Sequence, residues 1–227
     1  MSARFDIGFV IFPNITQLDF TGPLQVLSRL PGASTHILAR TRDLVPTDCG
    51  LSLAPTATFS ECRKLDLICV PGGFGVDQVI EDAETLAFVR DVGGAARHIT
   101  SVCTGAFVLG AAGLLQDRRA TTHWAYHHLL PRVGAIPEHS RVVRDGNVVT
   151  GGGVTAGIDF AFTLMRELAG DDVAQAVQLA LEYDPAPPFD AGSPIRAPGD
   201  VKLAMDKRYA PRLAEFEAVL DRLAQDG

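Results

Sequence analysis

The sequence of 227 residues lacks the signals of several protein classes. No apolar run approaches the roughly 20 residues needed to cross a bilayer. The sequence also lacks a basic stripe of the kind that nucleic-acid-binding proteins carry. Its 20 basic residues are outnumbered by 27 acidic ones, which gives a formal net charge of -7. We therefore expect no membrane partner and no nucleic-acid partner.

Cysteine is scarce and has no paired spacing. The four cysteines are Cys49, Cys62, Cys69 and Cys103, and none belongs to a C-x-x-C pair. The spacing excludes the usual zinc-knuckle and thioredoxin motifs, and four cysteines in a chain of this length do not make a disulfide scaffold. The N-terminus has no small-residue cleavage site of a signal peptide. We expect reduced thiols in a cytoplasmic protein.

Cofactor and metal motifs are missing as well. The glycines at 151–153 are not followed by the Gly-Lys-Ser/Thr of a phosphate loop, and the spacing G-x-G-x-x-G does not occur there. His123 and His127 are four residues apart, but the pattern H-E-x-x-H is absent and no third ligand suggests itself. We expect no cofactor and no metal.

Strand patterns alternate with helix patterns along the chain. Apolar runs rich in β-formers predict strands at 5–12, 34–40, 65–70 and 98–102. Helix patterns follow at 81–93, 106–115 and 154–170, and an earlier helix is expected to begin with Thr21 or Gly22 as its cap and Pro23 in its first turn. The alternation predicts an α/β fold, with a parallel sheet covered by helices on both faces.

The second half of the chain carries two further turn and breaker signals. Asp145-Gly146, between two β-rich runs at 140–153, predicts a hairpin with a type I′ turn. A Pro-rich stretch at 185–199 is expected to wrap the surface, and the final helical segment is expected to be interrupted at Pro211.

Cys103 is the most informative single residue. It lies between a predicted strand and a predicted helix, so its side chain is displayed above the sheet in the manner of a nucleophile elbow. A helix N-terminus lowers the pKa of a thiol placed there and favours the nucleophilic thiolate. The alternative is a buried core cysteine, which is a common environment for a free thiol.

Asp19 is predicted to lie beside Cys103, because ligands bind parallel sheets at the carboxyl ends of the strands and both residues follow a strand. A carboxyl group and a thiol in contact share a proton, and the thiolate raises the carboxyl pKa. The pair would combine a nucleophile with a general acid. The alternative for Asp19 is a carboxylate that only stabilises the start of a helix.

Glycines and a histidine complete the predicted site. Gly72 and Gly73 follow a buried strand and could turn their N–H groups toward developing negative charge, although an ordinary tight turn is equally consistent with them. His123 could orient the thiolate, and Gly152 lies in a glycine run that allows close packing of the next helix against the cysteine elbow.

Four strings of the sequence together resemble the ThiJ/PfpI superfamily. They are PGG at 71–73, SVCTGAF at 101–107, AAGLLQDRRATTHW at 111–124 and GGGVTAGIDF at 151–160. The resemblance covers 5–184 and implies a flavodoxin-like, three-layer α/β/α sandwich with a mostly parallel sheet, a reactive cysteine at the elbow and a homodimer. It divides the chain into an amidotransferase-like domain at 1–184 and, at 185–227, a surface wrap and a helical tail packed on that domain.

Two branches of the superfamily share these strings, the isocyanide hydratases and the ligand domains of AraC-type transcription regulators. QLDFTGP at 17–23 and LEYDPAPPFDAGSP at 181–194 look most like the hydratase branch. Many superfamily members carry Glu where this chain has Asp19. The tail after 185 is short and acidic, so we do not expect it to be a DNA-binding module.

The hydratase resemblance implies that water adds to an isocyanide and gives an N-substituted formamide. Cys103 would attack the terminal carbon, Asp19 would supply the proton, and water would hydrolyse the resulting thioimidate. Thr104, Gly72 and Gly73 would orient the substrate. Three alternatives remain open: a sensor based on oxidation of Cys103, a regulator's ligand domain, and a glyoxalase-like lyase.

Overall fold

A seven-stranded sheet organises the protein. The computed structural model describes residues 4–226. Its strands are β1 (Phe5–Val10), β2 (Ala33–Ala39), β3 (Val45–Pro46), β4 (Ser52–Leu53), β5 (Ala57–Thr58), β6 (Leu67–Val70), β7 (His98–Val102), β8 (Arg119–Ala120), β9 (Ile136–Pro137), β10 (Val142–Asp145) and β11 (Val148–Gly151). The strand order of the main sheet is β10-β11-β7-β6-β1-β2-β5, and every neighbouring pair is parallel except the β10–β11 hairpin.

Helices cover both faces of this sheet. They are α1 (Gln17–Leu27), α2 (Val76–Val79), α3 (Ala83–Phe88), α4 (Gly105–Ala111), α5 (Ala156–Ala169), α6 (Asp171–Ala180) and α7 (Gly199–Asp226). Helix α5 packs against both α1 and α6, whereas α4 packs against α2 and a 3-10 helix, Trp124–Val133, which also contacts α7. The predicted three-layer α/β/α fold with a mostly parallel sheet is confirmed.

The first helix begins earlier than the sequence indicates. Its N-cap is Thr16, so Asp19 lies in the first turn and Pro23 lies in the helix interior. The predicted start at Thr21 or Gly22 is therefore wrong. In a regular helix the amide missing at Pro23 would donate to the carbonyl of Asp19. The strong packing of α1 against α5 outweighs this local loss.

Two other local predictions are only partly correct, since the hairpin predicted at 140–153 and the final helical segment are both present but differ in detail. The hairpin turns at Gly146 and Asn147, and φ is positive only at Gly146, which is the pattern of a type II′ turn and not of type I′. Helix α7 continues through Pro211 without interruption. Phe216 and Leu220 are buried in the core after Pro211, and the partly buried Tyr209 packs against the core before it, so the helix is held on both sides of the predicted break.

Candidate active site

Cys103 lies at the elbow between β7 and α4, as the sequence predicts. Its φ is 57°, a left-handed conformation that residues other than glycine rarely adopt. Its N–H lies 3.0 Å from the carbonyl oxygens of both Gly151 and Gly152, and its own carbonyl accepts a 2.7 Å hydrogen bond from the Thr122 hydroxyl. These bonds over-determine a strained backbone, which is characteristic of functional sites.

Asp19 is completely buried beside this elbow. Its Oδ2 accepts a 3.1 Å hydrogen bond from the N–H of Gly72, and its Oδ1 has no partner within hydrogen-bond geometry among the described residues. Burial raises the carboxyl pKa to about 7, although the Cys103 side chain and the Gly72 amide both act to lower it. The nearby charge of Asp48 adds to the increase. Asp19 is therefore able to gain and lose a proton near neutral pH.

The thiol of Cys103 has a pKa well above the usual 9.0. Burial is the main cause, and the charge of Asp19 adds to it, whereas the backbone amides of Thr104 and Val154 act in the opposite direction. The predicted lowering of the thiol pKa by the helix N-terminus is therefore wrong: α4 has only seven residues, and desolvation outweighs its dipole. The resting thiol keeps its proton while Asp19 is ionised above pH 7.

Gly72 and Gly73 serve the site differently from the prediction. The N–H of Gly72 is bound to Asp19, and the N–H of Gly73 donates to Thr104 Oγ1 over 3.0 Å. Neither amide is free to bind a substrate anion in this structure, so the expected oxyanion role is not supported. A Cβ on Gly72 would lie 2.6 Å from the Thr104 nitrogen and 2.8 Å from Cys103 Cβ. Only glycine fits so close to the elbow.

His123 and Gly152 both contact the elbow region. Burial lowers the pKa of His123 to about 4, so the ring is neutral, and its Nδ1 accepts a 3.3 Å hydrogen bond from the N–H of Ala125. Gly152 contributes its carbonyl to the Cys103 amide and donates its own N–H to the Arg141 carbonyl over 2.9 Å. Gly152 therefore positions the backbone of the cysteine.

A cavity of about 60 Å³ opens above the thiol. Its walls are Thr16, Gly73, Phe74, Cys103, Thr104, His123, Tyr126, Val154 and Tyr209. Sequence reasoning missed Phe74, Tyr126, Val154 and Tyr209. The aromatic character of 124–126 is a local signal for Tyr126, but Tyr209 lies on the distant helix α7 and no sequence spacing connects it with Cys103.

A second cavity, of about 530 Å³, adjoins the first one. Phe74 and Tyr209 line both cavities, and the larger one is also lined by Met205, Arg208 and Arg212 among others. Arg212 is bound to Asp77 by a 2.8 Å ion pair. The two cavities thus share Phe74 and Tyr209 in their walls.

Neither a metal cluster nor a membrane span is found in the described part of the chain. Residues 4–226 contain no group of three or more His, Cys, Asp and Glu side chains arranged to hold an ion. None of their helices combines the length and the apolar character that a bilayer crossing requires.

Comparison with known families shows which family the chain matches. The model of the DJ-1/PfpI family matches residues 6–167, a range that contains Asp19, the Gly72-Gly73 turn and the Cys103 elbow. The chain belongs to the DJ-1/PfpI family. The resemblance to the ThiJ/PfpI superfamily is thereby confirmed.

Relatives within the DJ-1/PfpI family differ in how much of the chain they match. An isonitrile hydratase of Pseudomonas putida is 58% identical over 220 residues, which is 96% of each protein. The solved structure of a ThiJ/PfpI family protein from Pseudomonas syringae superimposes with a TM-score of 0.92 at 45% identity and covers 98% of this chain and 91% of the other. The transcriptional regulator GlxA of Rhizobium meliloti is 30% identical over 185 residues. These residues make up 75% of this chain and 55% of the regulator.

Proposed function

We propose that this DJ-1/PfpI family protein is an isocyanide hydratase, which adds water to an isocyanide and releases an N-substituted formamide. The observation that carries the proposal is the 58% identity to the isonitrile hydratase of Pseudomonas putida over 96% of both chains. The buried pair of Asp19 and Cys103 supplies a nucleophile and a proton carrier for that reaction. The reaction requires no external cofactor.

The first chemical step forms a covalent bond between Cys103 and the substrate. Asp19, ionised, takes the thiol proton as the sulfur attacks the terminal carbon of R–N≡C. The same carboxyl group returns that proton to the carbon, and the product is the thioimidate R–N=CH–S–Cys103. The amides of Thr104 and Val154, which hydrogen-bond to the sulfur, stabilise the negative charge that develops during the transfer.

The second step releases the product. Water attacks the thioimidate carbon, with Asp19 as general base, and the C–N double bond becomes a single bond to an N–H group. The tetrahedral adduct then breaks its C–S bond and forms the formamide carbonyl, and the sulfur recovers a proton. Water is consumed, no electron is exchanged, and Cys103 and Asp19 return to their starting states.

The cavities suggest where the substrate lies. The space of about 60 Å³ above Cys103 holds the N≡C group, while the substituent R extends past Phe74 and Tyr209 into the space of about 530 Å³. Thr104 fixes the turn at Gly73 through its hydroxyl, and His123 forms an uncharged wall. We assign both residues to positioning and not to proton transfer.

The oxidative-sensor alternative is less consistent with this site. Oxidation favours exposed thiols with a low pKa. Cys103 is 5% exposed, and burial raises its pKa. A glyoxalase-like reaction has no specific support in the cavity.

The test is turnover of one alkyl and one aryl isocyanide, with the formamide detected by mass spectrometry. Cys103→Ala is expected to abolish turnover, while Cys49→Ala, at an exposed cysteine, is expected to retain it. Methylglyoxal serves as the comparison substrate. If the protein converts neither isocyanide but converts methylglyoxal, the hydratase proposal is overturned in favour of a glyoxalase-like lyase.

We also propose a homodimer in the cytoplasm. The dimer is typical of the superfamily that the sequence resembles, and the free thiols at Cys49, Cys62, Cys69 and Cys103 are consistent with a reducing compartment. Sedimentation equilibrium distinguishes a dimer of about 48 kDa from the 24.2 kDa chain.

A further inference from the structure

The proposed reaction leaves one proton without a donor. When water attacks the thioimidate, its nitrogen must gain a hydrogen. Asp19 contacts Cys103 and serves the carbon that is bonded to the sulfur, whereas the nitrogen lies one bond farther into the cavity, whose wall does not include the fully buried Asp19. A group that reaches the nitrogen must therefore come from the wall itself.

Most polar groups of the wall are already engaged. The hydroxyl of Thr104 accepts from the N–H of Gly73 and donates to the carbonyl of the same residue. The Nδ1 atom of His123 accepts from Ala125, and the Cδ2–Nε2 edge of its ring packs against Gly153, where an added Cβ would lie 2.5 Å from Cδ2. The only hydrogen of the Thr104 hydroxyl is therefore engaged, and the Nε2 edge of the His123 ring lies against the Gly153 backbone.

Tyr126 differs from these residues. Only 5% of it is exposed, and its hydroxyl forms no hydrogen bond within residues 4–226. That oxygen is nevertheless not sealed off, because it is absent from the fully buried polar atoms that lack a partner. A phenol that is almost wholly buried but keeps an accessible, unpartnered hydroxyl at a cavity wall is able to donate a hydrogen bond to a molecule in that cavity.

The ring of Tyr126 is rigidly held. Phe216 of α7 meets it edge-on, with ring centroids 5.3 Å apart, and Phe107 of α4 packs at 6.4 Å in the same manner. The N–H of Tyr126 donates to the carbonyl of His123 over 2.9 Å. Side chains from two helices thus hold the ring in place at the cavity wall, and a donor held in place is preorganised for catalysis.

We propose that the Tyr126 hydroxyl hydrogen-bonds to the nitrogen of the Cys103 thioimidate and acts as the general acid of its hydrolysis. This inference rests on the hydratase function proposed above. As water adds to the carbon, the phenol O–H donates to the nitrogen, the C–N double bond becomes a single bond, and the phenolate recovers its proton from the water-derived hydroxyl as the C–S bond breaks. No oxidant or further reactant is required.

The protonation state of the phenol agrees with this role. Burial raises the pKa of Tyr126 to about 12, so the hydroxyl carries its proton at every pH at which the protein functions. The charge of Cys103 acts in the same direction, while Arg212 acts against it. The groups of Tyr209 and Asp77 also raise the pKa of the Tyr126 phenol.

The decisive experiment compares Tyr126→Phe with Tyr183→Phe. Each change removes one hydroxyl and retains the ring, and Tyr183, whose hydroxyl donates to Asp159 and which lines neither cavity, is the control. A general acid contributes typically 100-fold to 10,000-fold, so we expect Tyr126→Phe to lower kcat for an aryl isocyanide at least about 10-fold. The slowed hydrolysis should leave Cys103 occupied, so the intact protein should gain the mass of one isocyanide during turnover.

The outcomes separate this inference from the proposed function. A kcat loss with accumulation of the adduct in Tyr126→Phe, and in neither the native protein nor Tyr183→Phe, is the expected result. Unchanged kcat in Tyr126→Phe, a loss without the adduct, or adduct accumulation in Tyr183→Phe overturns the assignment while the native protein still makes formamide. If the native protein makes no formamide from any isocyanide, the hydratase function itself fails.

Discussion

Asp19→Asn should stabilise the protein at pH 8 while it abolishes efficient turnover. The carboxyl group titrates near 7 in the folded state against an ordinary value of 3.8, because burial disfavours its charged form. Because the folded state binds this proton more tightly than the unfolded state, protonation of Asp19 contributes to the free energy of unfolding. This contribution is fully present below about pH 3.8 and is lost as the pH rises through about 7. The difference of about three pKa units corresponds to roughly 4 kcal/mol of unfolding free energy by linkage.

The neutral amide removes this pH-dependent cost. Its oxygen can still accept the hydrogen bond from Gly72 that Asp19 Oδ2 accepts now. Of the total of roughly 4 kcal/mol, about 2–3 kcal/mol falls between pH 5 and pH 8. The stability advantage of Asp19→Asn over the native protein should therefore grow by that amount across this interval. Near pH 8 it should raise the melting temperature by several degrees, since about 1 kcal/mol shifts a chain of this size by roughly 2–4 °C.

The assay is urea denaturation followed by circular dichroism at several pH values from 5 to 8. Asp91→Asn is the matched control, because Asp91 is a surface carboxyl group whose ion pair is with the adjacent Arg90. It should leave the pH dependence of stability unchanged. A stability difference between Asp19→Asn and the native protein that is constant with pH, or that favours the native protein at pH 8, would refute the raised pKa of Asp19.

Two further predictions concern the elbow. Because Asp19 must be ionised to accept the thiol proton, kcat/KM for an isocyanide should rise with pH through about 7, and a profile that is flat between pH 5 and pH 8 would contradict that role. Gly72→Ala should cost about 1–3 kcal/mol of stability and lower turnover at least about 10-fold, because the added Cβ would meet the Thr104 nitrogen at 2.6 Å. Gly192→Ala, where a Cβ meets no atom within 4 Å, is its control in urea denaturation and turnover, and equal effects of the two changes would show that the close approach is unimportant.

Local sequence patterns were sufficient for the central strands and for the position of the candidate nucleophile. β1 and β6 form where continuous apolar runs occur, because central parallel strands are buried on both faces. β7 is a short run of β-forming residues that the sheet buries from Ile99 to Val102. Patterns were insufficient where tertiary packing overrides local preference. Pro23 and Pro211 both lie inside helices, since contacts with α5 and with the 3-10 helix 124–133 hold α1 and α7 in place.

The pKa values of Asp19 and Cys103 depend mainly on burial, which the spacing of residues in the sequence does not reveal. The sequence correctly indicated that the side chains of Asp19 and Cys103 would interact and that the carboxyl pKa would rise, but the predicted cause was wrong: burial raises this pKa, whereas the interaction with Cys103 lowers it. It also suggested a thiol with a lowered pKa, whereas desolvation raises it. A helix terminus can be recognised in a sequence, but the exclusion of water around a sulfur atom is a property of the packed protein.

The sequence alone determined the fold class and the family and indicated Cys103 and Asp19 as the candidate nucleophile and acid, because hydrophobic periodicity and short strings at strand ends are local features. The tertiary structure decided how these groups act. In the folded protein the Gly72 amide donates a hydrogen bond to Asp19, Cys103 is buried, and Tyr209 of α7 lines the cavity. Such effects arise between residues that are far apart in the chain, and burial and contact geometry exist only once the chain has folded.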